Sequence, residues 1–260
     1  MTNRNAVVTG AGSGIGRGIV EALLAADYTV WATDLSEERL RETETDLPDT
    51  AQLRTQVVDV TDIAALERLA ENIVAEGGSL DVWVNSAGIF DGYADVLETS
   101  PELWSKVLAI NLSGSFYGSR VAAQHMTEQK SGRIITVGSV AGQRGAADGI
   151  SYAASKAGIE GMTRRLAVDV GPSGVTANVV APGVIRTNLR ATSEEILGDL
   201  VSSQQRGIGV SSPELLDFLI PAKRSGLISE VAAVVVFLAS EGAGYVNGQV
   251  LAVDGGWTAT

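Results

Sequence analysis

The chain alternates short apolar runs with longer stretches in which apolar residues recur every three or four positions. The runs are Ala6-Val7-Val8-Thr9, Thr29-Val30-Trp31-Ala32-Thr33, Gln56-Val57-Val58, Val82-Trp83-Val84, Arg133-Ile134-Ile135-Thr136-Val137, Thr176-Ala177-Asn178-Val179-Val180 and Val250-Leu251-Ala252-Val253. They are rich in β-branched residues and continuously apolar, which predicts strands of a sheet covered on both faces. Between them Ile15, Ile19 and Leu23, and again Ile63, Leu66, Leu69 and Ile73, line up on one face at helical spacing. Helix starts are predicted at Ser36 before Glu37-Glu38, at Thr61-Asp62, at Ser100-Pro101-Glu102 and at Ser229-Glu230. A hydroxyl or carboxylate at such a point accepts first-turn N–H groups that have no partner within the helix.

Strand and helix alternate from end to end, so the economical fold is α/β, a doubly wound sheet of about seven parallel strands with helices on both faces. No linker interrupts residues 1–260, and a single domain is expected. The segment 188–225 breaks the rhythm: it carries helical pieces but no strand, and is too long for an ordinary connection. It follows the C-terminal end of a strand, where ligands of open α/β sheets sit, so it is expected to form a lid or substrate loop.

Composition narrows the function. Thirty glycines fall between the apolar runs, as tight strand-to-helix turns require. The net charge is −12 and no basic run appears, which argues against a nucleic-acid partner. The absence of cysteine excludes disulfides, thiolate catalysis and cysteine zinc sites; with His125 as the one histidine, neither a histidine metal cage nor a Ser-His-Asp relay is expected, and no metal. His125 itself reads as a structural or surface residue. Val231 to Ala239, the longest apolar stretch near the C-terminus, falls far short of the roughly 20 residues of a membrane span, and the opening apolar run is too brief for a secretory signal. A soluble, cytoplasmic protein without a membrane partner is the expectation.

The first strand runs into Thr9-Gly10-Ala11-Gly12-Ser13-Gly14-Ile15-Gly16, which opens a helix. Glycines there let the backbone turn tightly and approach a pyrophosphate, whose charge the free N–H groups of the helix start receive. A glycine-rich match alone is weak, but here strand and helix flank it as the chemistry requires. The second strand ends at Asp34, 18 residues after Gly16, where a carboxylate accepts hydrogen bonds from both hydroxyls of an adenosine ribose and repels a 2′-phosphate. Neither Ala11, Gly12 and Ser13 nor Leu35 and Ser36 supplies a positive charge, so NAD is favoured over NADP, with Arg17 in the helix the one caution.

Tyr152 and Lys156 stand at i and i+4, which on a helix puts both side chains on one face. An ammonium near a phenol stabilises the phenolate and lets the tyrosine exchange a proton near neutral pH. Such pairs are common on solvated helices, and this one gains weight from Ser139, 13 residues earlier and immediately after a strand.

Taken together, Thr9-Gly10-x-x-x-Gly14-Ile15-Gly16, Asn85-Ser86-Ala87-Gly88, Asn111, Ser139, Tyr152-x-x-x-Lys156 and Pro182-Gly183-x-x-x-Thr187 resemble the short-chain dehydrogenases/reductases, over a span from Ala6 to Trp257. The resemblance implies a single-domain Rossmann fold and the following roles. Tyr152 is the general acid/base, and Lys156 modulates it and binds the nicotinamide ribose. Ser139 orients the substrate oxygen, and Asn111 holds a proton-relay water. Gly10, Ser13, Gly14, Ile15, Gly16, Asp34 and Leu35 hold the adenosine and pyrophosphate, with Asp59 and Val60 at the adenine. Asn85, Ala87 and Gly88 line the cofactor, and Pro182, Gly183, Ile185 and Thr187 pack on the nicotinamide. Ser86 departs from the family's usual asparagine, which leaves Asn85 as the residue expected to bind.

The implied reaction interconverts a secondary alcohol and a ketone by hydride transfer, with a hydroxy acid, a sugar alcohol or another small polar alcohol as substrate. Phe90, Tyr93, Gln143, Arg144, Ile150, Asn188 and Leu189 are candidates for the substrate wall beside Ser139 and Tyr152, and Arg144 is read equally as an anion clamp or a solvated loop residue. The C-terminal strand and tail resemble the region that relatives use for tetramer contacts, so a homotetramer is expected. Two rival functions stay open. One is a reductase of 3-oxoacyl thioesters on an acyl carrier protein, which Asp34 and the acidity oppose and Arg164-Arg165 would favour. The other is a non-catalytic NAD-binding regulator, which would have been free to lose Tyr152 or Lys156.

Overall fold

The computed structural model describes residues 4–47, 51–145, 148–201 and 218–259. Its seven strands are β1 (Arg4–Thr9), β2 (Tyr28–Asp34), β3 (Leu53–Val57), β4 (Val82–Asn85), β5 (Gly132–Val137), β6 (Val175–Pro182) and β7 (Val250–Val253). They form one parallel sheet in the order β3-β2-β1-β4-β5-β6-β7. Ala6 pairs with Val30 on one side and Val82 on the other, so the chain direction across the sheet reverses between β1 and β4. Ligands of doubly wound sheets bind at the crevice opened by that reversal.

Alternate residues of each strand feed two cores. Val8, Val30 and Val84 pack with Ile19 and Leu23 of α1 (Gly14–Ala25) and with Val231, Val235 and Leu238 of α8 (Ile228–Ala239). Val7, Trp31, Trp83 and Ile134 pack on the other face with Leu66, Leu69 and Ile73 of α3 (Ile63–Gly77) and Val121 and Met126 of α5 (Gly114–Gln129). Nearly all of these side chains are sealed from solvent, and each Leu or Ile so buried contributes about 1.5–3 kcal/mol of transfer free energy. Burial on both faces explains why the strand sequences are apolar without alternation.

Three helix starts form as their caps dictate. Ser36 Oγ accepts from the Arg39 N–H at α2 (Glu37–Asp46), Asp62 from Ala64 and Ala65 at α3, and Ser100 from Leu103 at α4 (Pro101–Leu108). The fourth does not. α8 begins at Ile228, ahead of Ser229, because the Glu230 carboxylate reaches back to the Leu227 N–H at 2.8 Å and is held there by Arg224. β3 begins three residues before the predicted Gln56–Val58 and ends at Val57: it is an edge strand with β2 as its one neighbour, Leu53 is its buried residue, and Val57 is half exposed.

α4 continues through a π turn at Ala109–Ser113 into α5, and α6 spans Ile150–Val170. In the predicted lid, α7 (Leu189–Leu197) packs on α4 through Leu197, Leu103 and Val107. Ile185 and Gly226 form a parallel bridge at the base of this segment, and its residues 202–217 lie outside those described. Among the described residues no helix is long and apolar enough to cross a membrane.

Candidate active site

At the end of β1 the glycine turn passes directly beneath the β4 loop. Gly10 adopts φ +66°, and a Cβ there would lie 2.6 Å from the Ala87 Cα, so both the conformation and the close approach demand glycine. A Cβ on Gly16 would lie 2.0 Å from the Gly10 carbonyl oxygen. Ser13 precedes α1 in extended conformation without capping it through its side chain, which leaves the first N–H groups of that helix for an outside acceptor.

Asp34 terminates β2 with its carboxylate at the same turn. Oδ2 accepts from the Gly12 N–H at 3.0 Å, and Oδ1 accepts from the Ser36 N–H and from Arg39, whose Nη2 lies at 3.0 Å. Arg39 also pairs with Glu195 of α7 at 3.0 Å, so one guanidinium ties the end of β2 to α7. Arg17 is engaged elsewhere, with Glu42, Asp46 and the Gly12 carbonyl.

The cleft that starts here is walled by Gly10, Ser13, Gly14, Ile15, Gly16, Asp34, Leu35, Asp59, Val60, Ala87, Gly88, Pro182, Gly183, Ile185 and Thr187, and ends at Ser139, Tyr152 and Lys156. One expected cofactor residue stands apart. The Asn85 side chain turns into the sheet, where Oδ1 accepts from Trp83 Nε1 at 2.8 Å and Nδ2 donates to Ser119 and Thr136. Ser86 forms the cleft wall at that point. Ser86 and Ala87 donate their N–H groups to Thr9 Oγ1, locking the β4 loop to the glycine turn.

The other end of the cleft is built on α6. Tyr152 and Lys156 are both buried, and Lys156 Nζ donates to the Val137 carbonyl at 2.9 Å while lying 5.5 Å from the Tyr152 ring centre. Burial pushes the lysine down to about 8. Burial also drives the Tyr152 phenol well above its usual range, reinforced by the Asp148 and Asp91 carboxylates and opposed by a hydrogen bond with Ser139. Ser139, two residues beyond β5, is in extended conformation and accepts from the Ala141 N–H at 3.1 Å. Asn111, in the π turn, is fully buried and clamps Ile89, its Oδ1 accepting the N–H at 2.8 Å and its Nδ2 meeting the carbonyl at 2.9 Å. Single-turn π distortions of this kind recur at functional sites.

Beside Tyr152 the wall is aromatic. Phe90 packs edge-on against Tyr152 at 5.3 Å and against Tyr93 at 4.6 Å, with Leu189 and Ala141 completing the cluster. Tyr93 holds φ +68°, a conformation unusual for a side chain of its size. The Phe90 N–H donates to Ser193 of α7 at 2.8 Å, fixing α7 beside this wall. Other candidates lie away from it. Gln143 is exposed and donates to Glu160, Ile150 is exposed, and Asn188 lines a neighbouring cleft with Arg17 and Glu195. Arg144 is not among the residues walling either cleft. Residues the sequence did not single out, Arg39, Ile89, Ile110, Thr192 and Ile196, do wall the main cleft. A basic residue one turn after a strand-ending carboxylate was the available signal for Arg39.

A family model described as enoyl-(acyl carrier protein) reductase matches residues 10–258. The 3-oxoacyl-[acyl-carrier-protein] reductase FabG of Salmonella typhimurium is 39% identical over 252 residues, 96% of each chain. The 3beta-hydroxysteroid dehydrogenase 2 of Eggerthella lenta is 32% identical over all of this chain and 96% of its own. Among solved structures, ElxO with NADP bound superposes with a TM-score of 0.85 at 28% identity, over 99% of this chain and 100% of its own. With the parallel seven-stranded sheet and the glycine turn already in place, these likenesses leave one assignment: the chain belongs to the short-chain dehydrogenase/reductase family.

Proposed function

We propose that the protein interconverts a secondary alcohol and a ketone with a nicotinamide cofactor, NAD in preference to NADP, using Tyr152 as general acid/base. The observation that carries this reading is the continuity of the cleft: Asp34 and the glycine turn stand at one end and Tyr152, Ser139 and Lys156 at the other. The free amides at the start of α1 and the glycines that admit close approach suit a pyrophosphate, and the Asp34 carboxylate suits ribose hydroxyls.

When bound, the nicotinamide supplies or accepts the hydride and, oxidised, brings a positive charge. Tyr152 takes the hydroxyl proton of the alcohol in oxidation and returns it to the ketone oxygen in reduction. Ser139 donates to that oxygen and holds it against the phenol. Lys156 places its charge beside the ring and favours phenolate in the site's low dielectric. Asn111 holds Ile89, and with it the β4 loop, in place and is the residue to bind a relay water. Phe90, Tyr93 and Leu189 shield the reacting carbon, so the substrate presents an apolar skeleton there.

Asp34 favours NAD by repelling a 2′-phosphate. Arg39, in the same wall, supports some use of NADP, in keeping with the NADP that ElxO holds. A second substrate reading, reduction of 3-oxoacyl thioesters on an acyl carrier protein, is favoured by the FabG likeness. Against it, Arg164 is paired with Glu160 and Arg165 with Asp169, which neutralises the patch that would dock an acidic carrier. A non-catalytic NAD-binding role is the third.

The test is formation of reduced nicotinamide with NAD and with NADP across secondary alcohols, hydroxy acids and polyols, and its consumption with ketones and a 3-oxoacyl thioester, beside Tyr152→Phe. Activity abolished by the substitution supports the reading; cofactor binding without turnover on any substrate supports the regulator. We also propose a homotetramer, to which the exposed Phe116 on α5 and Val168 on α6 would each offer apolar surface. Light scattering at the mass of one chain would end that proposal.

A further inference from the structure

Asp91 follows the aromatic wall residue Phe90 and is fully buried. Its Oδ2 accepts from the Ser151 hydroxyl at 3.0 Å and from the Tyr152 N–H at 2.8 Å, across some sixty residues of chain. Its Oδ1 is buried without a hydrogen-bond partner and faces Gly149, where a Cβ would lie 2.1 Å from it. A buried charge left half satisfied is costly in a fold that could place an asparagine or a threonine there. Its position at the first turn of α6 gives it a use.

We propose that Asp91 is a positioning residue for Tyr152: its carboxylate fixes the first turn of α6 against the β4 loop and sets an acidic group beside Tyr152. The proposal rests on Tyr152 being the proton-transfer group. Two consequences follow from the geometry. The backbone of Tyr152 is tied directly to the loop that carries Phe90, so ring and wall move as one unit. The carboxylate also acts on the phenol itself, favouring its protonated form, the form that donates to a ketone oxygen. Tyr93 and Asp148 face the same space, Asp148 acting on the phenol in the same sense as Asp91, and Arg190 acts on Tyr93.

Asp91→Asn keeps an oxygen for the Tyr152 N–H and removes the charge; Ser151→Ala keeps the charge and removes one tie. For alcohol oxidation by Asp91→Asn, the rising limb of kcat against pH is expected about half a unit or more toward acid, because the phenol loses a neighbouring anion. Ser151→Ala is expected to lower kcat about three- to tenfold with the limb unmoved, since misplacement of a reacting group costs rate. In both, KM for the cofactor is expected within about twofold of wild type, because the cofactor end is untouched. A limb that stays put in folded Asp91→Asn overturns the proposal. If Asp91→Asn does not fold, Ser151→Ala decides: an unchanged kcat overturns it, and the expected fall supports it. Tyr152→Phe runs alongside. If it retains activity, the reading of Tyr152 fails; if it is inactive while the two variants match wild type, the Asp91 proposal alone fails.

Discussion

Lys156 Nζ lies 5.5 Å from the centre of the Tyr152 ring, held there by its hydrogen bond to the Val137 carbonyl. One turn of helix sets the spacing, and the end of β5 sets the direction, so sheet and helix together aim the ammonium. Substituting Lys156 by Met keeps much of the apolar bulk and removes the charge. We predict a loss of at least ~100-fold in kcat, the scale on which acid–base catalysis operates. KM for the cofactor should rise as well, because Lys156 walls the same cleft as Asp34 and the glycine turn. Steady-state kinetics that show either parameter unchanged would refute one of the two roles.

On the proposed reading, cofactor choice turns on Asp34 and Arg39, which share one ion pair. Replacing Asp34 by Ala would then remove the acceptor proposed for ribose hydroxyls and free Arg39 for a phosphate. We predict that kcat/KM for NAD falls about 10- to 100-fold while that for NADP rises, the size expected when charged hydrogen bonds are lost. Arg39→Ala should instead leave NAD use intact and weaken NADP. Comparing kcat/KM for both cofactors checks the pair, and a wild type that prefers NADP would overturn the assignment to Asp34.

The glycine turn is a steric prediction as much as a chemical one. Gly10→Ala introduces a Cβ 2.6 Å from the Ala87 Cα at a positive φ, so the β4 loop must shift to admit it. We predict loss of cofactor binding, followed by titration of protein fluorescence with NADH, and a lower melting temperature. The penalty is on the order of 1–3 kcal/mol, the cost of backbone held in a disfavoured region.

Much of this was legible in the residues because the requirements are local. Ile19 and Leu23, or Leu66 and Leu69, announce helices by spacing alone, and Gly10, Asp34, Tyr152 and Lys156, singled out at fixed intervals, meet in one cleft. What escaped depends on contacts distant in sequence. Whether the Asn85 amide faces the cleft or the sheet is decided by Trp83, Ser119 and Thr136, and only the folded packing brings the last two beside it. The start of α8 was misplaced because the cap is a glutamate reaching backwards from inside the helix, where a serine one residue earlier offered a simpler reading. Arg39 escaped for a related reason: its partner Glu195 lies 156 residues away.

Asp148, whose carboxylate also acts on the Tyr152 phenol, gives stability a pH dependence of its own. Burial, reinforced by the Asp91 carboxylate, raises its carboxyl to about 6, above the ordinary 3.8. Between those values the folded state holds a proton that the unfolded chain has released, so this group favours folding at low pH and that contribution is lost as pH rises through 6. Above 6 the ionised carboxylate is a net cost. Asp148→Asn removes the titration, so its melting temperature should match wild type near pH 4 and exceed it near pH 7. The gap corresponds to about 1–2 kcal/mol, since Asp148 keeps some contact with solvent. Thermal melts of the two proteins at both pH values measure it. A gap that is equal at both would mean that the carboxylate titrates as an ordinary surface group, and that the pocket beside Tyr152 is wetter than the packing of Phe90 and Tyr93 implies.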